Sequence, residues 1–445
     1  MKTVTRPEIV SPAGDWTMLR AVVNAGADAV YFGLKELNMR ATAQNFSLSE
    51  LEKVVKYCHE NSCGSNYSAL QNSHYNKNPD GFYNDENSQQ AGYGINSQIH
   101  SGVGHDTKTH LTLNSIVFGN ELKIVDAILR AAKKARIDMI ICWDMGVVRK
   151  ALALGLDVCL STQASVSNSE SAKFYKELGV RRIVPARECS LEQIKAIKKT
   201  GIEIETFVHG AMCVSISGRC FLSHHLYGKS ANRGECLQPC RYEYDIIDRH
   251  RGKELVIGKN YVLSPKDLCS MPFIDKLIKA GIDAFKIEGR KRSPEYAAVT
   301  TGCYKKAVDL HQHGKLTTNT KKELIEKLGT VFNRGFSKGF YFTEPGKSDY
   351  ANIGGSAATM RKEYVGAVAG FGADNTAIKI KSGIVKKGDQ LIIEGPDTGI
   401  VMHKVTRMVV GNKVSDKAGK QDMIYLKIKK PVKRGDGVYL LRKFI

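Results

Sequence analysis

Eight short apolar runs punctuate the first 290 residues, and amphipathic stretches separate them. The runs are EIVSPAG, DAVYFGL, THLTLNSIV, DMIICWD, DVCLSTQASV, RRIVPARE, IEIETFVHG and DAFKIEGR. Between them, segments such as SLSELEKVVKYCHEN, NELKIVDAILRAAKKAR, SESAKFYKELG and LEQIKAIKKTG place apolar residues three and four apart, the spacing of a helix with one buried face. A strand that is apolar along its length needs cover on both faces, so this alternation points to βαβ units and a parallel sheet. The expected class is α/β, with a TIM-like (β/α)8 barrel over residues 1–290. A doubly wound open sheet is the rival. It lacks support because no G-x-G-x-x-G phosphate turn follows the first run.

In such a barrel the active site is built where the strands end. The polar residues that interrupt the runs fall there: Asn114, Asp144, Gln163, Arg187 with Glu188, His209, and Glu288 with Arg290. Asp144, just before MGVV, also suits a helix cap. Together these side chains describe a polar ring at one end of the barrel.

Residues Gly64 to Thr107 break the alternation, being rich in Asn, Ser, Gln, Gly and Tyr. They read as a low-complexity insertion between the second helix and third strand, on the face opposite the ring and dispensable for chemistry. Its His74, His100 and His105 match no helical metal pair. After residue 290, a helical extension over 291–355 leads to a basic β-rich domain at 356–445, expected to be a small β-barrel. The phrases VKKGDQL and VKRGDGV suggest two equivalent turns there. Residues 361–445 hold 18 Lys and Arg against 8 Asp and Glu, which is +10 of the chain's +21. That concentration favours an RNA-contacting appendage.

No stretch reaches the roughly 20 apolar residues of a membrane helix, and the N-terminus has no apolar signal region, so a cytoplasmic location is expected. In that compartment the 11 cysteines stay reduced unless a metal recruits them. Cys58, Cys142, Cys159 and Cys303 sit in apolar or helical patterns and read as small core residues. Cys213, Cys220, Cys236 and Cys240 are different, crowding one stretch as C-x6-C-x15-C-x3-C. Four thiolates serve either zinc or a four-iron four-sulfur (4Fe-4S) cluster, and the spacing leaves both open.

Longer words narrow the choice. EIETFVHGAMCVSISGRCFLS closely resembles the signature of the family historically labelled peptidase U32, or collagenase-like protease. The resemblance continues in SPAGD, ADAVYFGL, STQASVSN, NRGECLQPCRYEY, SPKDL and KIEGRKRSPEYAAVTTGCYKKA, over nearly the whole chain except the insertion. Deleting the insertion would join HENSC to KTHLTLNSIV in the ordinary family register.

The resemblance implies base or ring hydroxylation rather than proteolysis. The most similar branch looks like the prephenate-dependent tRNA uridine hydroxylases, which act on uridine 34 of the anticodon loop; a longer branch hydroxylates 23S rRNA. It also implies Cys213, Cys220, Cys236 and Cys240 as ligands of a 4Fe-4S cluster, with Cys269 second in rank. Prephenate is a dicarboxylate, which makes Arg187, Arg290 and Arg292 its candidate partners by charge and position. His209 and Glu288 are candidates to move protons, and Asp144 completes the catalytic candidates. A U32-type peptidase is the competing reading: Ser223 beside His224 and His225 comes nearest to a nucleophile and base, and no H-E-x-x-H is present. A non-catalytic RNA-binding protein is the third.

Overall fold

β1 (Glu8–Pro12), β2 (Ala29–Gly33), β3 (Lys108–Thr112), β4 (Met139–Cys142), β5 (Val158–Leu160), β6 (Arg182–Ile183), β7 (Glu203–Gly210) and β8 (Ala284–Ile287) pair in parallel, each with the next. β8 pairs with both β7 and β1, which closes the barrel. The eight runs of the sequence therefore form one α/β barrel, and the open-sheet rival is excluded. The computed structural model describes residues 6–61, 106–248, 255–258, 261–371 and 375–444. His74, His100 and His105 lie outside these residues, as does the insertion apart from Asp106 and Thr107. The insertion's flanks, the end of α2 (Leu51–Glu60) and the start of β3, lie at the amino ends of the strands.

The helices α1 (Trp16–Asn24), α2, α3 (Leu122–Ala135), α4 (Met145–Ala153), α5 (Ser169–Glu177) and α6 (Leu191–Lys198) follow the first six strands in turn. In α3 the buried residues Val125, Ile128, Leu129 and Ala132 repeat at three and four, so one stripe faces the sheet. Burial of each such Val, Ile or Leu side chain contributes about 1.5–3 kcal/mol. Helix starts carry their own stops: Asp15 accepts from the Met18 amide at 2.8 Å, and Asp144 accepts from the Gly146 and Val147 amides at 2.9 and 3.2 Å. Replacing such a cap by Ala costs about 1 kcal/mol.

The barrel interior is apolar in one layer and ionic in another. Val10, Ala29, Tyr31, Met139, Ile141, Cys159, Val184 and Ala284 pack with Phe207. Toward the amino ends, Arg182 pairs with Glu8 and Glu203, each at 2.8 Å, and Glu205 with Lys286 at 2.6 Å. His110 lies beside them; burial, with Arg182 adding, pushes its pKa down to about 4.

Between β7 and β8 the chain makes a long excursion that carries the four clustered cysteines, α7 (Leu222–Tyr227) and a short strand, Asp267–Cys269. That strand runs antiparallel to β7 and parallel to Phe336–Ser337. α8 (Ile274–Lys279) then leads into β8, and α9 (Pro294–Gln312) and α10 (Thr318–Gly329) follow it.

The C-terminal region is an antiparallel sheet of eight strands between Met360 and Lys443. Val401 on one edge strand and Met408 near the other edge share a single core with Val365, Ile378 and Leu440, so the sheet curves around its own interior. The two repeated phrases form the same turn. The Lys386 amide donates to Asp389 at 2.8 Å and the Lys433 amide to Asp436 at 2.7 Å. Gly388 (φ 91°) and Gly435 (φ 93°) supply the left-handed residue that each turn requires. The strands they open, Gln390–Gly395 and Gly437–Lys443, are paired neighbours.

Candidate active site at the barrel mouth

β2, β6, β7 and β8 deliver their following residues to one place. Arg40, in the loop after β2, donates through Nε and Nη2 to the Glu288 carboxylate at 3.2 and 2.7 Å. Burial alone would raise the Glu288 pKa, but Arg40, then Arg187 and Arg290, outweigh it and hold the carboxyl down to about 2. Glu288 is therefore an anion throughout the physiological range, a counter-ion rather than a proton donor. Arg187 donates to the Ala211 carbonyl at 2.7 Å and stacks 3.9 Å over Phe207, while its buried Nε has no partner. Arg290 is 4 % exposed and donates to Thr112 Oγ1 at 3.1 Å. Burial pushes its pKa down to about 10. Three guanidiniums around one carboxylate leave this mouth strongly positive.

The cysteine excursion covers the same mouth. Gln163 and Asn114 bridge β3 and β5 through Asn114 Nδ2 to Gln163 Oε1 at 3.1 Å, and Gln163 Nε2 returns to the Asn114 carbonyl at 2.8 Å. A Cβ on Gly218 would stand 2.8 Å from Gln163, so the Cys213–Cys220 loop lies directly on that bridge. Asn232 accepts from the Cys220 amide at 2.9 Å. Lys291 donates to the Cys236 carbonyl at 3.0 Å. Gly234 (φ 92°) sits where a Cβ would stand 2.2 Å from the Asn38 carbonyl oxygen, pressing the excursion onto the β2 loop. Arg241 ties the segment after Cys240 to Met212, Ser264 and Pro265.

The four sulfurs share one neighbourhood. Burial raises the Cys240 thiol; Arg241 lowers it, and Cys213, Cys236 and Cys220 each raise it further. The Cys213 sulfur also raises the Arg40 guanidinium. Among the described residues no three His, Cys, Asp or Glu side chains converge as one metal ion demands. Four thiols on one excursion are a donor set that tetrahedral zinc or a 4Fe-4S cluster can take. Cys269 is elsewhere: it is buried in the barrel's outer core, its sulfur 3.9 Å from Tyr304 Oη, with its thiol pushed up to about 11 by burial.

Other sequence candidates at the strand ends are engaged elsewhere or exposed. Strict alternation after Glu205 and Phe207 would turn His209 into the barrel. The β7–β8 register slips there, with Lys286 opposite Phe207 but Ile287 opposite His209, and the bulge turns the imidazole toward α9. It lies among Tyr296, Tyr304 and Phe336, with Nδ1 3.3 Å from Tyr304 Oη. Burial, with Arg292 adding, pushes its pKa down to about 3, so it stays neutral and supports the wall of the site. Asp144 is occupied as the α4 cap, and Glu188 is exposed. Arg292 stacks 3.9 Å over Phe332 and faces Asp267 at 3.6 Å, with Arg334 on the same carboxylate at 3.4 Å.

Sequence reasoning missed Arg40 and Lys291. Arg40 lies in ELNMRAT, seven residues past the last β2 residue that pairs, and only its place after a strand end marks it. Ser223, the candidate nucleophile of the hydrolase reading, is fully buried and accepts from the Leu237 amide at 3.0 Å, which makes it a structural hydroxyl.

The profile of peptidase family U32 matches residues 14–84 and 95–350. The chain belongs to peptidase family U32. Among its relatives, an uncharacterized protease of Methanocaldococcus jannaschii is 38% identical over 98% of this chain and 99% of its own length. A collagenase of Porphyromonas gingivalis is 34% identical over 98% of both chains. A protein of Bacillus subtilis named tRNA hydroxylation protein P1 is 30% identical over 90% of this chain and 86% of its own. No helix among the described residues is long and apolar enough to cross a membrane.

Proposed function

We propose that this U32 family member is an RNA base hydroxylase that converts uridine 34 of tRNA to 5-hydroxyuridine, with prephenate as co-substrate and a 4Fe-4S cluster on Cys213, Cys220, Cys236 and Cys240. The observation that carries the reading is the mutual proximity of four thiols beside the Arg40–Glu288 pair at the barrel mouth. The tRNA hydroxylation relative in Bacillus subtilis and the chain's +21 charge support an RNA substrate. Replacing hydrogen by hydroxyl at carbon 5 removes two electrons from the base, a demand that acid and base side chains cannot meet. A cluster held by Cys213, Cys220, Cys236 and Cys240 would relay electrons one at a time, and an external oxidant would be the net two-electron acceptor.

The chain's own residues bind and orient. Arg187 and Arg290 offer guanidinium N–H groups to the carboxylates of an anionic co-substrate, and the unpartnered Nε of Arg187 suits that task. Arg40 is held by Glu288, so it sets the position of the positive edge beside Cys213. An anticodon loop already splays its bases, so extrusion of the target costs little.

Two measurements test this. Anaerobically purified protein should be brown, with iron and acid-labile sulfide in equal amounts, and Cys236→Ala should lose both. Colourless protein containing zinc refutes the cluster. Nucleoside mass spectrometry of tRNA from a strain lacking the protein should show loss of 5-hydroxyuridine derivatives, and an unchanged profile refutes the substrate. The collagenase relative, 34% identical, favours hydrolysis as a second reading. Gelatin cleavage by metal-free protein would establish it.

A further inference from the structure

The C-terminal sheet turns one face to its core and leaves the other with an unusual composition. Four adjacent strands, Gly437–Lys443, Met360–Phe371, Thr376–Ile380 and Met423–Leu426, point Val438, Leu440, Ile378 and Ile424 inward. Alternation sends Tyr439, Tyr364, Lys379, Tyr425 and Lys443 to the opposite face, with Lys381 just past a strand end. Tyr364 is 43 % exposed and meets Tyr439 edge-on, their ring centres 5.4 Å apart. Lys381 and Lys443 are exposed. A large aromatic left in solvent among cations is a poor way to finish a neutral packing face, but it is the combination that grips unpaired bases and their phosphates.

The position of this face is fixed relative to the barrel. Lys362, on the same side, bonds Glu295 at 2.9 Å and Glu394 at 2.8 Å. Glu295 lies in the first turn of α9, three residues past Arg292. On the far side of the junction, Arg20 of α1 donates to the Pro396 carbonyl at 2.7 Å, and Gly399 (φ 69°) lies against Arg20 and Ala21 so closely that a Cβ would meet Arg20 at 2.9 Å. The tyrosine face is thus anchored beside the start of α9, the helix that follows β8.

We propose that this outer face, with Tyr364 as its stacking residue and Lys381 and Lys443 as phosphate partners, is a docking surface for single-stranded RNA. It rests on the RNA reading above and deepens it: one part of the molecule holds the strand while another receives the base. The last 85 residues carry +10 of charge, which complements a phosphate backbone and argues against a second copy of this equally basic chain as the occupant.

The test uses the full chain and fluorescence anisotropy with a labelled uridine-rich single strand, with a duplex of the same sequence as control. Tyr364→Ala should weaken binding about tenfold and Tyr364→Phe should restore it, since the ring and not the hydroxyl stacks. Lys381→Glu should weaken binding and lower the slope of log affinity against log salt by about one. Parental affinity in both the Ala and Glu variants, or equal affinity of the parent for duplex, overturns the surface. A parent chain that binds no RNA overturns the RNA reading as well, so the two failures are distinct.

Discussion

Cutting the Arg40–Glu288 pair tests whether the barrel mouth is held by its own charges. The carboxylate side chain is 14 % exposed, and the guanidinium bonds it through two nitrogens at 2.7 and 3.2 Å. Arg40→Ala strands a mostly buried anion that lacks its main partner, and stranding a buried charge costs about 3–5 kcal/mol. Arg187 and Arg290 still face Glu288, which places the expected loss near the lower end, about 3 kcal/mol. Glu288→Gln alone leaves three guanidiniums without their anion and should cost a similar amount, about 3 kcal/mol. The double variant removes both halves, so the cycle should show a coupling of about 2 kcal/mol, as for a charge-assisted hydrogen bond. Both tryptophans of the chain, Trp16 and Trp143, lie in the barrel, so urea unfolding followed by their fluorescence reports this domain. If the two single effects add to within about 0.5 kcal/mol, the pair is screened by water and the argument fails.

Acid should weaken the barrel through His209 and His110. Their pKa values are pushed down from 6.5 to about 3 and about 4, so the unfolded chain takes up two protons that the native barrel refuses. Stability is then complete above pH 6.5 and falls below it by up to about 2.8 kcal/mol per pH unit, about 1.4 for each histidine. His209→Phe should halve that slope in urea titrations between pH 6 and pH 4.5, and an unchanged slope would show that His209 titrates normally. Gly234→Ala forces a Cβ against the Asn38 carbonyl at a positive φ and should cost about 1–3 kcal/mol, with earlier proteolytic cleavage of the cysteine excursion. Resistance equal to the parent's would mean that the excursion is not pressed onto the β2 loop. Lys362→Met leaves Glu295 and Glu394 facing each other and should expose the domain junction to hydrogen exchange, without changing exchange in β1 to β6.

Periodicity carried most of the fold. An apolar run such as AVYFG is buried at all five positions because helices and interior side chains cover both faces, and that requirement can be read in one dimension. The turn words behaved the same way: GD with a preceding lysine makes the same local hydrogen bond wherever it occurs. Asp144 likewise caps the helix that its neighbours form. These features depend on residues within a few positions of one another.

The mouth was legible only in part. That polar side chains gather at strand ends follows from the barrel, and the cysteine spacing marked out its excursion. Which of those side chains meet was decided by contacts between distant segments. Arg40 reaches Glu288 across 248 positions, and no local pattern announces the pair. His209 sits at a strand end as expected, yet a one-residue slip between β7 and β8 turns it from the interior to the aromatic wall. Alternation fixes the side of each strand residue only while the register holds, and register is set by the neighbouring strand. The sequence by itself therefore determined the barrel, its turns and its caps. Tertiary structure decided which charges stand opposite one another and which titratable groups lose their water.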